Sequence, residues 1–146
     1  MMVLLKQLAY GSPDYQETIA LRNTIMREPL GLSIYDEDLT NEKEAIIIGA
    51  FSDSSLLGVG IAILQNKDYH IDYICVDTRQ QQGGIGRLVL NELEKIGHSQ
   101  GAKTANLAAR LSAQGFYEKQ GYHTVGEHYI MPSAPVGHIR MEKSLV

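Results

Sequence analysis

Ile71-Asp72-Tyr73-Ile74-Cys75-Val76-Asp77-Thr78-Arg79-Gln80-Gln81-Gln82-Gly83-Gly84-Ile85-Gly86-Arg87-Leu88-Val89-Leu90 decides how this chain is read. An apolar strand runs into a polar turn dense in glycine, and a helix starts at or near Gly84. Backbone N–H groups at the head of a helix suit an anion, because the first amides lack intrahelical acceptors and the helix dipole is positive there. The stretch therefore asks which phosphate-bearing ligand the chain holds.

Outward from it, the periodicities lay out the rest. Val3 to Ala9 reads as a strand, and Ser12-Pro13 supplies an N-cap and a proline at the first helical position. Tyr15, Thr18, Ile19, Arg22, Ile25 and Met26 then share one helical face. Arg22 is the odd member: either its stem packs while its guanidinium reaches water, or it points at an acidic partner or ligand. Pro29 to Asn41 is irregular and carries the acidic cluster Asp36-Glu37-Asp38. Glu44 to Phe51 and Leu56 to Gln65 are β-rich and joined by Ser52-Asp53-Ser54-Ser55, a hairpin signature. His70 to Val76 is the next strand, Gly84 to about Gln100 a helix, Lys103 to Ala109 a strand, and Ala113 to Gln120 a short helix. His123 to Ile130 and His138 to Leu145 close the chain, separated by a loop holding Pro132 and Pro135. Meander strands succeeded by strand–helix–strand connections give an α/β protein with a mixed sheet and helices on its faces, not a doubly wound one.

The 146 residues suit one domain, over 1–146. A net charge of −4 with scattered Lys and Arg argues against a nucleic-acid partner. The longest apolar runs are too short for a membrane span, and a lone cysteine points to a reducing, cytoplasmic home. The five histidines offer no close pair at ligand spacing, and His123 and His128 fall on opposite faces of a strand, so no metal is expected.

Three glycine-rich loops compete for the opening stretch. A P-loop needs lysine and a hydroxyl after its last glycine, but Arg87 and Leu88 come after Gly86. A dinucleotide fingerprint from Gly84 would need a third glycine at Val89. The pattern Gln/Arg-x-x-Gly-x-Gly/Ala is met by Gln81-Gln82-Gly83-Gly84-Ile85-Gly86. With Val76, Leu88 and Leu90 in register, the stretch resembles the GCN5-related N-acetyltransferase (GNAT) family, although Gln82 stands at a usual glycine and Gln81 where arginine is commoner. A second block, Asn106-Leu107-Ala108-Ala109-Arg110 with Phe116-Tyr117-Glu118-Lys119-Gln120-Gly121-Tyr122, resembles that family's late motif. Pro135 to Lys143 resembles its closing strand, and the Leu21-Arg22 helix with Pro29 to Leu32 its opening.

The resemblance implies a mostly antiparallel sheet with helices on both faces, the acyl-CoA acyltransferase fold, and acetyl-coenzyme A as co-substrate. Its pyrophosphate would rest on the amides of about Gln82 to Arg87, hence Gln81, Gln82, Gly83, Gly84, Ile85, Gly86 and Arg87. The pantetheine arm would run along Ile74, Cys75 and Val76, with Asn106 and Tyr117 beyond. Tyr117 would protonate the leaving thiolate, and an amide near Val76 would polarise the carbonyl. Asp72 or His70, through water, or His138, would take the amine proton. Arg22 with Asp36-Glu37-Asp38, and His70, would line the acceptor site. Cys75 has no recognisable base beside it and reads as a buried strand residue.

The expected activity is direct acetyl transfer to an amine of a small molecule or peptide. Its rivals are a non-catalytic acyl-coenzyme A sensor acting on a protein partner and a protein binding some other nucleotide. Dimers through the last strands are common in similar proteins, which leaves a homodimer open.

Overall fold

Each expected element forms, in the expected order. The computed structural model describes residues 2–80 and 83–146. From the N-terminus run β1 (Leu4–Gln7), α1 (Pro13–Met26), β2 (Ile46–Ser52), β3 (Ser55–Gln65), β4 (Asp68–Val76), α2 (Ile85–Ser99), β5 (Thr104–Arg110), α3 (Gln114–Lys119), β6 (His123–Met131) and β7 (Ala134–Ser144). The irregular stretch between α1 and β2 folds as three 3₁₀ turns, Glu28–Leu30, Ile34–Asp36 and Thr40–Glu44. One seven-stranded sheet has the order β1-β2-β3-β4-β5-β7-β6, and β4–β5 is its parallel pair among the described strands.

Local chemistry accounts for the helices. The Ser12 hydroxyl accepts from the Tyr15 N–H at 3.2 Å, and Pro13 sits where an N–H would have no partner. Gly84, at φ +75°, caps α2 in the left-handed region that glycine enters without strain. Ile85, Val89, Leu90 and Leu93 form the buried stripe of α2, each contributing roughly 1.5–3 kcal/mol of hydrophobic burial. The helix lies close on the sheet because Gly60 faces it: a Cβ there would stand 2.5 Å from Val89 Cγ1 and 2.7 Å from Leu93 Cδ1.

The two sheet faces bury separate cores. α2 and α3 cover Ile46, Ile48, Tyr69, Ile71, Leu107 and Met141, while α1 covers Ile47, Phe51, Val59, Ile61, Tyr73 and Cys75. Among the described residues, no helix is long and apolar enough to cross a membrane.

Two expectations are corrected. Strict alternation would put His70, Asp72, Ile74 and Val76 on one face opposite Ile71, Tyr73 and Cys75. Instead Tyr73 pairs with Ile61 and Ile71 with Ala62, which leaves Asp72 as the extra residue of a β-bulge. The insertion flips the rest of the strand, so Ile71, Ile74 and Val76 all pack on the α2 face. The loop expected between the last strands is a tight hairpin, Met131 pairing with Ala134. Pro135 falls in the register shift before Ile130–Gly137, where its missing N–H breaks no ladder bond.

Candidate active site

The parallel ladder between β4 and β5 has three pairs, Asp68–Thr104, Tyr69–Ala105 and His70–Asn106, and then stops. β3 continues to hold β4 as far as Val76, and β7 holds β5 as far as Arg110, so the two strands diverge with each anchored on its outer side. Between them opens a cleft of about 970 Å³. Ile71 to Val76 form one wall, Leu107 to Arg110 the other, and the first turn of α2 reaches it through Gly84, Gly86 and Arg87.

The helix head has the composition of an anion cradle. The Leu88 N–H makes a helical bond to the Gly84 carbonyl oxygen, and the amides before it belong to the turn whose N–H groups lack intrahelical acceptors. Gly86 lets α2 approach the wall: a Cβ there would stand 3.3 Å from the Phe116 ring and 3.6 Å from Val76. Gly83 donates back to the Gln80 carbonyl oxygen, and the Ile85 side chain is fully buried, so its backbone faces the turn while its side chain anchors the helix. Gln81 and Gln82 lie outside the described residues.

Tyr117 of α3 stands at the cleft, its ring edge-on to Phe116 and to Tyr122. Among the described residues its hydroxyl has no hydrogen-bond partner, and burial pushes its pKa well above the usual phenol range, the Cys75 thiol adding to the effect. Burial likewise pushes the Cys75 thiol up to about 12, so it stays protonated and is no nucleophile at neutral pH. His138 is almost fully buried and lines the cleft. Its Nδ1 is 2.7 Å from the Val136 carbonyl oxygen, which can only accept; Nδ1 therefore carries the proton, and in the neutral ring Nε2 is the acceptor.

Asp72 and His70 also line the cleft, 3.7 Å apart through His70 Nε2. Burial raises the Asp72 pKa, and the nearby His70 opposes the rise. Asn106 does not reach the cleft wall; its Oδ1 lies 2.8 Å from His70 Nδ1, so it orients the imidazole across the last ladder pair.

On the α1 face Arg22 points at an acidic partner, the second of its two readings, and not at water. Its guanidinium neither reaches water nor lines the cleft; it is fully buried in a two-pronged pair with Glu42, at 2.8 and 3.0 Å. Tyr15 donates its hydroxyl to the same carboxylate at 2.5 Å. The physical reason is that a desolvated cation requires a partner in place, and Glu42 supplies it, so Arg22 does not line the acceptor site with Asp36-Glu37-Asp38 as expected. Glu37 serves Arg27 instead, at 2.6 and 3.2 Å, and Arg27 donates to the Tyr73 hydroxyl at 2.8 Å. Glu37, Asp38 and Glu42 do line the cleft, so the acidic segment reaches it without Arg22.

Glu42, Arg27 and Arg110 are the residues that sequence reasoning left without a role. Glu42 sits in the polar run Asn41 to Glu44, which reads as solvated surface. Arg27 carried a usable signal, a cation one position past an apolar helical stripe and ten residues before Glu37 of the acidic cluster.

A diverging β4–β5 pair, a glycine-opened helix at its head and a tyrosine on its wall define an acyl-transfer fold rather than a dinucleotide or triphosphate one. Residues 19–145 match the family described as the acetyltransferase (GNAT) domain, so the chain belongs to the GNAT acetyltransferases and is an N-acetyltransferase. It is 28% identical over 107 residues to an uncharacterized N-acetyltransferase of Bacillus subtilis (strain 168), YjcF, covering 73% of this chain and 74% of that one. Among solved structures, aminoglycoside 6′-N-acetyltransferase complexed with coenzyme A superposes with a TM-score of 0.80 at 20% identity, covering 98% of this chain and 97% of that one. The aminoglycoside 6′-acetyltransferase type Ii superposes at 0.78 with 24% identity over the same shares. Both are likenesses of fold.

Proposed function

We propose that the chain is a single-domain, cytoplasmic enzyme that moves the acetyl group of acetyl-coenzyme A directly to an amine of a small molecule or peptide. The observation that carries this is the β4–β5 divergence, because a strand edge that loses its neighbour offers amide and carbonyl groups to a ligand's own amides. The donor set suits that substrate: helix-head amides and Arg87 for the pyrophosphate, and the edge of Ile74 to Val76 for the pantetheine arm. A fold neighbour was crystallised with coenzyme A, which agrees.

In the transfer, the amine nitrogen bonds to the acetyl carbon and the carbon–sulfur bond breaks. The amine proton passes to His138 Nε2, with Asp72 as the second group able to take it. Tyr117 protonates the departing thiolate. Its raised pKa keeps the phenol protonated at neutral pH, and the same dry surroundings raise the affinity of a thiolate for that proton.

The test is thiol release from acetyl-coenzyme A over a panel of amines, polyamines, aminoglycosides and peptides, alongside thermal stabilisation by acetyl-coenzyme A, ATP and NAD. Stabilisation by acetyl-coenzyme A alone with amine-dependent release supports the reading. Stabilisation with no release above background hydrolysis would leave an acyl-coenzyme A-binding module and end the enzymatic assignment.

A further inference from the structure

Arg110 ends β5 on the cleft wall, and among the described residues no carboxylate answers its charge. Of the carboxylates that line the same cleft, Glu37 holds Arg27, Glu42 holds Arg22, Asp38 accepts from the Thr40 hydroxyl and N–H, and Asp72 lies 3.7 Å from His70. Among the described residues Arg110 has no carboxylate partner. One of its terminal nitrogens donates to the Met26 carbonyl oxygen at 2.8 Å, while its Nε is buried with no hydrogen-bond partner among them. An orphaned buried donor is costly, and a guanidinium cannot escape the cost by losing its proton.

The position of Arg110 points to its counterpart. Its electrostatic neighbours are Arg27 and Tyr73 towards α1 and Cys75 on the opposing wall, and Cys75 is in turn a neighbour of Tyr117. Arg110 thus lines the same cleft as the acidic segment and the group proposed to protonate the thiol, where an acceptor would be held. We infer that Arg110 takes the carboxylate of the acceptor, so that the substrate is an amino carboxylate, an amino acid or a related carboxylate-bearing amine. The fork of guanidinium donors matches a carboxylate in shape. One cation without a carboxylate partner among the described residues, in a cleft that Glu37 and Asp72 also line, balances a monoanion and penalises a phosphate dianion.

This inference rests on the transferase reading, and its test separates the two. Thiol release is measured for amino acids against their own carboxamides, which keep the amine and lose the charge. The acids are expected to exceed the amides in kcat/KM by about 10- to 100-fold, the range of a charge-assisted pair. Arg110→Gln is expected to bring that ratio towards one, and Arg110→Lys to restore part of it. Equal rates for acids and amides in the unaltered protein would overturn the inference without any variant. An equal fall of both in Arg110→Gln would overturn it too, since that is the pattern of a guanidinium touching the thioester. Titration calorimetry of N-acetylamino acids against N-acetylamino acid amides on the full chain reads binding without chemistry. If no amine is acetylated the transfer reading fails, and calorimetry still decides: tighter binding of the acids, lost in Arg110→Gln, supports the carboxylate site, and no preference refutes it.

Discussion

Replacing Tyr117 by phenylalanine isolates one atom of the proposed chemistry. The ring stays packed edge-on against Phe116, 5.0 Å away, and Tyr122, 5.7 Å away. The hydroxyl leaves no orphan behind, because no described residue pairs with it. The expected change in stability is therefore under about 1 kcal/mol, or less than about 4 °C in Tm for a chain of this size. The expected loss in kcat is about 10²-fold, the lower end for a general acid, because a thiolate leaves more readily than an amine or alkoxide; that is about 2.7 kcal/mol of barrier. Steady-state thiol release at saturating amine gives kcat, and calorimetry gives acetyl-coenzyme A affinity, expected to hold. The pH profile adds a further constraint. Burial raises the phenol pKa, the protonated form is the active one, and so Tyr117 contributes no fall in kcat on the alkaline side up to about pH 9. A kcat within twofold of the original refutes the acid assignment. A matching loss of acetyl-coenzyme A affinity would show instead that the hydroxyl holds the ligand.

Glu42→Ala strands the Arg22 guanidinium in the core and is expected to cost about 3–5 kcal/mol by urea denaturation, whereas Arg22→Met with Glu42→Leu should recover much of it; equal losses would mean that water reaches the pair. Gly60→Ala is expected to destabilise by about 1–3 kcal/mol as α2 is pushed outward, while Gly115→Ala, with nothing within 4 Å of the new methyl, should stabilise α3 by up to about 1 kcal/mol. Asp72 binds its proton more tightly folded than unfolded, so between its unfolded pKa near 4 and its raised folded value the unfolded chain releases the proton first and stability falls with rising pH. Asp72→Asn should accordingly be more stable than the parent at pH 7 and equal to it at pH 3; a constant difference across that range would contradict the burial effect.

The order of elements was legible because strands and helices here carry clean periods, down to Ser12-Pro13 opening α1 and the glycines before Ile85. The cleft was legible only in part. Tyr117, His138 and the α2 head come from motif residues at fixed spacing, and all of them reach one cavity. The bulge at Asp72 was invisible, since a count in twos along His70 to Val76 contains no mark of an inserted residue, and its consequence is a change of face for half the strand. Arg22 misled for a different reason: an isolated cation on an apolar stripe says that a partner is required but not which carboxylate will arrive. Glu42 arrives through tertiary packing of the Thr40–Glu44 turn, and its own neighbours Asn41 and Lys43 look like ordinary surface.

The three-pair ladder between β4 and β5 has a mechanical meaning. One part of the sheet, β1 to β4, and the other, β5 to β7, meet along a seam much shorter than the strands themselves. A ligand lying in that seam and bonding to both margins would act as a keystone, completing the arch that the polypeptide leaves unfinished. Occupancy would then be felt as cohesion across the whole sheet, with amide hydrogens on both margins exchanging more slowly once it is in place.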